Sequence, residues 1–111
     1  MDSVLDMDVK AELETLKDII IRTVPVDQIL LFGSYAYGIP NKDSDLDLYI
    51  VLKDDIDIRE FDASVKILSA IGHVKTKPVD IIANKKTKFL KMIKGPTMER
   101  KIIRERIKIY G

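Results

Sequence analysis

The chain has no cysteine, a single histidine and few aromatic residues, which make up 6% of its 111 positions. Without cysteine there is neither a disulfide frame nor a cysteine-ligated zinc site. The lone His73 follows a predicted helix end and reads as a surface or structural residue. No apolar run approaches the ~20 residues that a membrane span needs, and the acidic N-terminus does not look like a signal peptide. A cytoplasmic protein that does not engage a membrane is therefore expected. No internal repeat, linker or low-complexity segment is visible, so residues 1–111 are expected to form one domain with a modest core.

Charge is plentiful, at 33% of residues, and nearly balanced at +1. The balance hides a polarity. Residues 1–64 hold 15 Asp or Glu against 6 Lys or Arg, whereas residues 85–108 hold 10 Lys or Arg against Glu99 and Glu105. Such a division suits an acidic, metal-binding half beside a basic surface for phosphate or an acidic partner, or two halves that simply attract each other. Nucleic acid is a less favoured partner for the basic end, because only Phe89 and Tyr110 offer stacking platforms there.

Hydrophobic periodicity predicts the elements. Val9, Leu13, Leu16 and Ile20 make one face of a helix over 8–23, which Pro25 stops. Residues 28–32 form an almost wholly apolar strand. Ser34 is expected to cap one helical turn over 35–37, closed by Gly38, before a loop over 39–44. Residues 46–52 form a second strand with Leu46, Leu48 and Ile50 on its core face and Asp45, Asp47 and Tyr49 on the outward one. A helix over 59–71 is expected to bury Phe61, Val65, Leu68 and Ile71, and Gly72 ends it. A third strand over 77–83 opens on Pro78. A short basic helix over 87–93 is broken by Gly95-Pro96. Thr97 then caps a last helix with Met98, Ile102 and Ile109 inward, unless 107–110 is a terminal strand. The order suits a small mixed β-sheet of the α/β (α+β) class, flanked by helices.

The chemistry lies in three carboxylates and a turn. Asp45 and Asp47 share a strand face, and Asp80 joins them if the second and third strands pair. Three convergent acids repel unless a cation is present, and a hard divalent ion such as Mg²⁺ takes carboxylate oxygens together with substrate phosphate and water. Gly33 lets a phosphate approach the backbone, and the Ser34 hydroxyl adds a donor. Asp80, flanked by Val79 and Ile81, is the candidate base for an acceptor hydroxyl.

These residues carry a resemblance. Phe32-Gly33-Ser34, ten intervening residues and Asp45-Leu46-Asp47-Leu48 resemble the hydrophobic-Gly-Ser-x10-Asp-x-Asp signature of the DNA polymerase β-like nucleotidyltransferase superfamily. The short chain resembles its minimal nucleotidyltransferase (MNT) branch, over roughly residues 10–84. The resemblance implies a polymerase β-like fold, two Mg²⁺ ions and transfer of a nucleoside monophosphate from a triphosphate, with ATP as the expected donor. It implies that Gly33 and Ser34 hold the triphosphate and that Asp45, Asp47 and Asp80 hold metal. It also implies an antitoxin that adenylylates a HEPN-domain toxin, often on a tyrosine. One position departs from the pattern: Tyr37 stands where many relatives carry Arg. Lys42, or a basic residue between 85 and 94, is expected to supply the missing charge to the nucleotide. The contrasting expectation is a weak or inactive nucleotidyltransferase-fold module that neutralises its partner by contact. Homo- and hetero-oligomers both remain open.

Overall fold

The computed structural model describes residues 7–38, 44–55 and 57–111. The elements run α1 (Met7–Thr23), β1 (Val26–Phe32), α2 (Ser34–Tyr37), β2 (Leu46–Leu52), α3 (Glu60–Ile71), β3 (Val79–Lys85), α4 (Lys86–Met92), α5 (Met98–Glu105) and β4 (Ile107–Tyr110). The terminal stretch is thus a strand. The four strands form one mixed sheet in the order β3-β2-β1-β4. β1 is antiparallel to β2 and β4, while β2 and β3 are parallel, joined by the α3 crossover. No described helix is long and apolar enough to cross a membrane.

Alternation along β1 and β2 divides the interior in two. Ile29, Leu31, Leu46, Leu48, Ile50 and Leu52 face Val9, Leu13, Leu16 and Ile20 of α1 and Ala63, Ile67 and Ile71 of α3. On the other face, Leu30, Tyr49 and Val51 pack against Phe89 of α4 and Ile102 of α5. The sheet is therefore covered on both faces. Tyr49 is fully buried and not outward, because α4 and α5 cover the face it shares with Asp47.

The α3 stripe also differs from the expected one. Phe61 is 73% exposed, and Val65 and Leu68 also face outward. Ala63 and Ile67 meet the sheet instead, together with Ile71, the one residue of the expected stripe that is buried. Both stripes are apolar, so periodicity does not choose between them. Ile58 packs against the same core just ahead of the helix, on the side of the Ala63–Ile67–Ile71 stripe. In α5, Met98 is exposed and Glu99 is buried in its place, while Thr97 caps the helix by accepting from the Arg100 N–H.

Two polar anchors fix the strand ends. Glu12 of α1 accepts hydrogen bonds from the Thr76 N–H and hydroxyl, both at 2.7 Å, just before β3. Asp54, just after β2, accepts from the Thr87 N–H and hydroxyl in α4.

Candidate active site

β1 ends at Phe32, whose register partner on β2 is Asp47. Gly33 follows with φ 78° and ψ −158°, backbone space that a side chain makes costly. A Cβ at Gly33 would lie 2.1 Å from Asp47 Oδ2. Glycine is thus required twice, once for the turn and once for the carboxylate beside it. Gly33, not Ser34, occupies the N-cap position of α2; Ser34 is the first helical residue, and no side chain caps the turn. The Gly33 carbonyl accepts from the N–H groups of Ala36 and Tyr37, and Gly38 closes the turn in the left-handed conformation, φ 82°.

The acids gather beside that turn. Asp47 and Asp80 are direct register partners across the parallel β2–β3 pair, where strands lie ~4.8 Å apart. Asp45 just precedes β2 and adds its charge to the Asp47 environment. Burial, the facing Asp80 carboxylate and Asp45 together push the Asp47 carboxyl up to about 6. Asp80 itself is exposed, although Val79 and Ile81 flank it in sequence, because those neighbours point to the opposite face. Among the described residues, no group of three or more His, Asp or Glu forms a ready-made metal cage. Two facing carboxylates with a third alongside still fit Mg²⁺, which typically uses one or two protein carboxylates and fills its octahedron with phosphate and water.

The other rim of the turn is cationic. Tyr37, 39% exposed, lies under Lys101 of α5, whose Nζ is 5.5 Å from the ring centroid.

A family model of the nucleotidyltransferase domain matches residues 13–110. The chain belongs to the nucleotidyltransferase domain family. A protein of Sulfolobus solfataricus described as a nucleotidyltransferase superposes with a TM-score of 0.60 at 14% identity, over 92% of this chain and 79% of its own. A toxin–antitoxin structure with AMP-PNP superposes with a TM-score of 0.50 at 21% identity, over 88% of this chain and 73% of that one. At these identities the likeness concerns the fold. No curated protein matches the sequence.

Within this nucleotidyltransferase domain the structure brings together Gly33, Asp47 and Asp80, with Asp45 alongside and Ser34 next to Gly33 in α2. Lys42 lies outside the described residues. Residues 85–94 run through the end of β3 and α4, and the described cation that reaches Tyr37 comes from α5 instead.

Sequence reasoning missed a second polar group on the same face. Asn84 Nδ2 donates to the Tyr49 hydroxyl at 2.8 Å, and that hydroxyl donates to Glu99 Oε2 at 3.0 Å. Glu99 is only 3% exposed. Burial foremost, and the Glu99 carboxylate, hold the Tyr49 phenol well above its ordinary pKa, against the bond that Asn84 donates. The network ties α5 to β2 two residues beyond Asp47. The expected α5 stripe of Met98 and Ile102 leaves Glu99 outside it, so no local signal pointed to the network.

Proposed function

We propose that the protein is a Mg²⁺-dependent nucleotidyltransferase that moves a nucleoside monophosphate, AMP from ATP, onto a hydroxyl of a partner protein. The observation that carries this reading is the Asp47 carboxylate set between Asp80 and the Gly33 backbone, so that acids and a phosphate-accessible turn share one spot. The Ser34 hydroxyl and the turn backbone receive the triphosphate oxygens. Asp45, Asp47 and Asp80 hold the metal, with two ions as the expected complement. When bound, Mg²⁺ offsets phosphate charge and polarises the α-phosphoryl group. The acceptor oxygen forms a bond to the α-phosphorus as the bond to the β-phosphate oxygen breaks. Pyrophosphate leaves, and the hydroxyl proton passes to the exposed Asp80 carboxylate.

The toxin–antitoxin neighbour supports a protein acceptor, and a HEPN-domain toxin is the proposed partner. The test incubates the chain with its genomic neighbour, Mg²⁺ and ATP labelled on either the α- or the γ-phosphate. Label from the α-position alone is expected on the neighbour, and it disappears with Asp45→Asn plus Asp47→Asn. The absence of transfer with any of the four nucleotides sinks the proposal. Tyr37 in the place of Arg favours the second reading, neutralisation by contact. That reading gains only if the same double variant, folded by circular dichroism, still neutralises the partner fully.

A further inference from the structure

The unexplained contact near the site is Lys101 on Tyr37, which joins residues from α5 and α2 that lie far apart in the chain. α2 is a single turn, so Tyr37 stands only ~5 Å along the helix axis from Ser34. Gly33, at the start of that turn, abuts Asp47. A cation above the Tyr37 ring is therefore held at a residue of the same turn whose first residue borders Asp47.

The placement of Lys101 follows from how α5 is anchored. Glu99 accepts from the Tyr49 hydroxyl, and Ile102 is buried against the sheet. Both residues belong to the layer that covers the face carrying Asp47 and Tyr49. With those two positions turned inward, Lys101 is exposed and its Nζ lies over the Tyr37 ring. It makes no ion pair among the described residues. An exposed cation–π contact is weak. It steers the flexible lysine stem without tying up the ammonium, which keeps all three donors for an anion.

We propose that Lys101, steered by the Tyr37 ring, is the residue that meets the β- and γ-phosphates of the nucleotide. The pair then does together what an arginine at position 37 would do alone: tyrosine supplies the platform and α5 supplies the charge. The inference rests on the reading of the site as a triphosphate cradle, and it assigns the counter-charge to a helix beyond the signature segment.

The experiment is calorimetric titration of the full chain with Mg²⁺ plus α,β-methylene-ATP, which cannot transfer its nucleotide, and in parallel with AMP. Lys101→Met is expected to weaken the triphosphate analogue roughly ten-fold, the loss of one charge-assisted contact. It is expected to leave AMP binding unchanged. Lys101→Arg restores most of the affinity. Tyr37→Phe keeps it, whereas Tyr37→Ala loses part of it, because the ring and not the hydroxyl steers the ammonium. Lys66→Ala, on α3 across the sheet, matches wild type. Unchanged triphosphate affinity in Lys101→Met, or an equal loss for AMP, overturns the inference while leaving the nucleotide site standing. A wild-type protein that binds neither ligand overturns the cradle reading, and this inference with it.

Discussion

Gly33→Ala is the substitution that most directly probes the join between turn and acids. Two costs are separable. The backbone at φ 78° and ψ −158° is one that only glycine adopts freely, and forcing alanine into it costs about 1–3 kcal/mol. The new methyl would also lie 2.1 Å from Asp47 Oδ2, well inside contact distance, so the carboxylate has to rotate away. Overpacking of that kind adds about 1–3 kcal/mol if the neighbours cannot yield. Urea denaturation without metal should therefore show a loss of about 2–6 kcal/mol for Gly33→Ala, towards the low end if the Asp47 carboxylate rotates freely. The carboxylate contribution is isolated by a double-mutant cycle with Asp47→Ser, whose shorter side chain removes the 2.1 Å contact with Oδ2 and leaves the backbone strain. Coupling of at least ~1 kcal/mol is expected, with Gly33→Ala milder when Asp47→Ser is already in place. A single variant within ~0.5 kcal/mol of wild type, or a cycle that closes at zero, refutes the claim that Gly33 is there to let Asp47 approach.

Two further outcomes follow. Asp47, pushed up from 3.8 to about 6, binds its proton more tightly folded than unfolded, so its charged form opposes folding. That penalty is absent below pH ~4, grows through the window from about 4 to 6, and is complete above it. For a fully buried group the displacement corresponds to roughly 3 kcal/mol, and solvent access halves this to about 1.5 kcal/mol. In chelator, Asp47→Asn should thus stabilise the protein at pH 7.5 and leave it unchanged at pH 4; equal melting shifts at both pH values contradict the assignment. In α3, Ile67→Ala should cost about 2–4 kcal/mol and Phe61→Ser less than ~0.5 kcal/mol, measured by chemical denaturation, and the reverse ranking would mean that the helix packs on its other stripe.

Local pattern accounts for much of the fold and for the acids of the site. The α1 stripe of Val9, Leu13, Leu16 and Ile20 is buried as its spacing implies, and Pro25 follows directly on the Thr23–Val24 exit. The strand alternation put Leu46, Leu48 and Ile50 on a core face and Asp47 on the other. The pairing of Asp47 with Asp80 needed only that β2 and β3 be neighbours. The α1 stripe and the strand alternation depend on residues a few positions apart, where backbone geometry and side-chain period act alone, whereas the Asp47–Asp80 pair also needs two strands on either side of α3 to meet.

Other features depend on what covers what. Tyr49 looked solvent-facing because alternation names a face without saying whether a helix lies over it; α4 and α5 bury it. The two apolar stripes of α3 are equivalent by periodicity, and only packing against the sheet and α1 buries Ala63, Ile67 and Ile71. Glu99 counted as surface charge until a tyrosine hydroxyl on a distant strand met it in the interior. The acidic half of the candidate site, two acids two apart and a third on the next strand, is legible in the sequence because side-chain alternation aligns the first two and one strand pairing adds the third. The counter-charge over Tyr37 is not, because Lys101 reaches it only through the packing of α5 across the sheet, which joins residues that no local period relates.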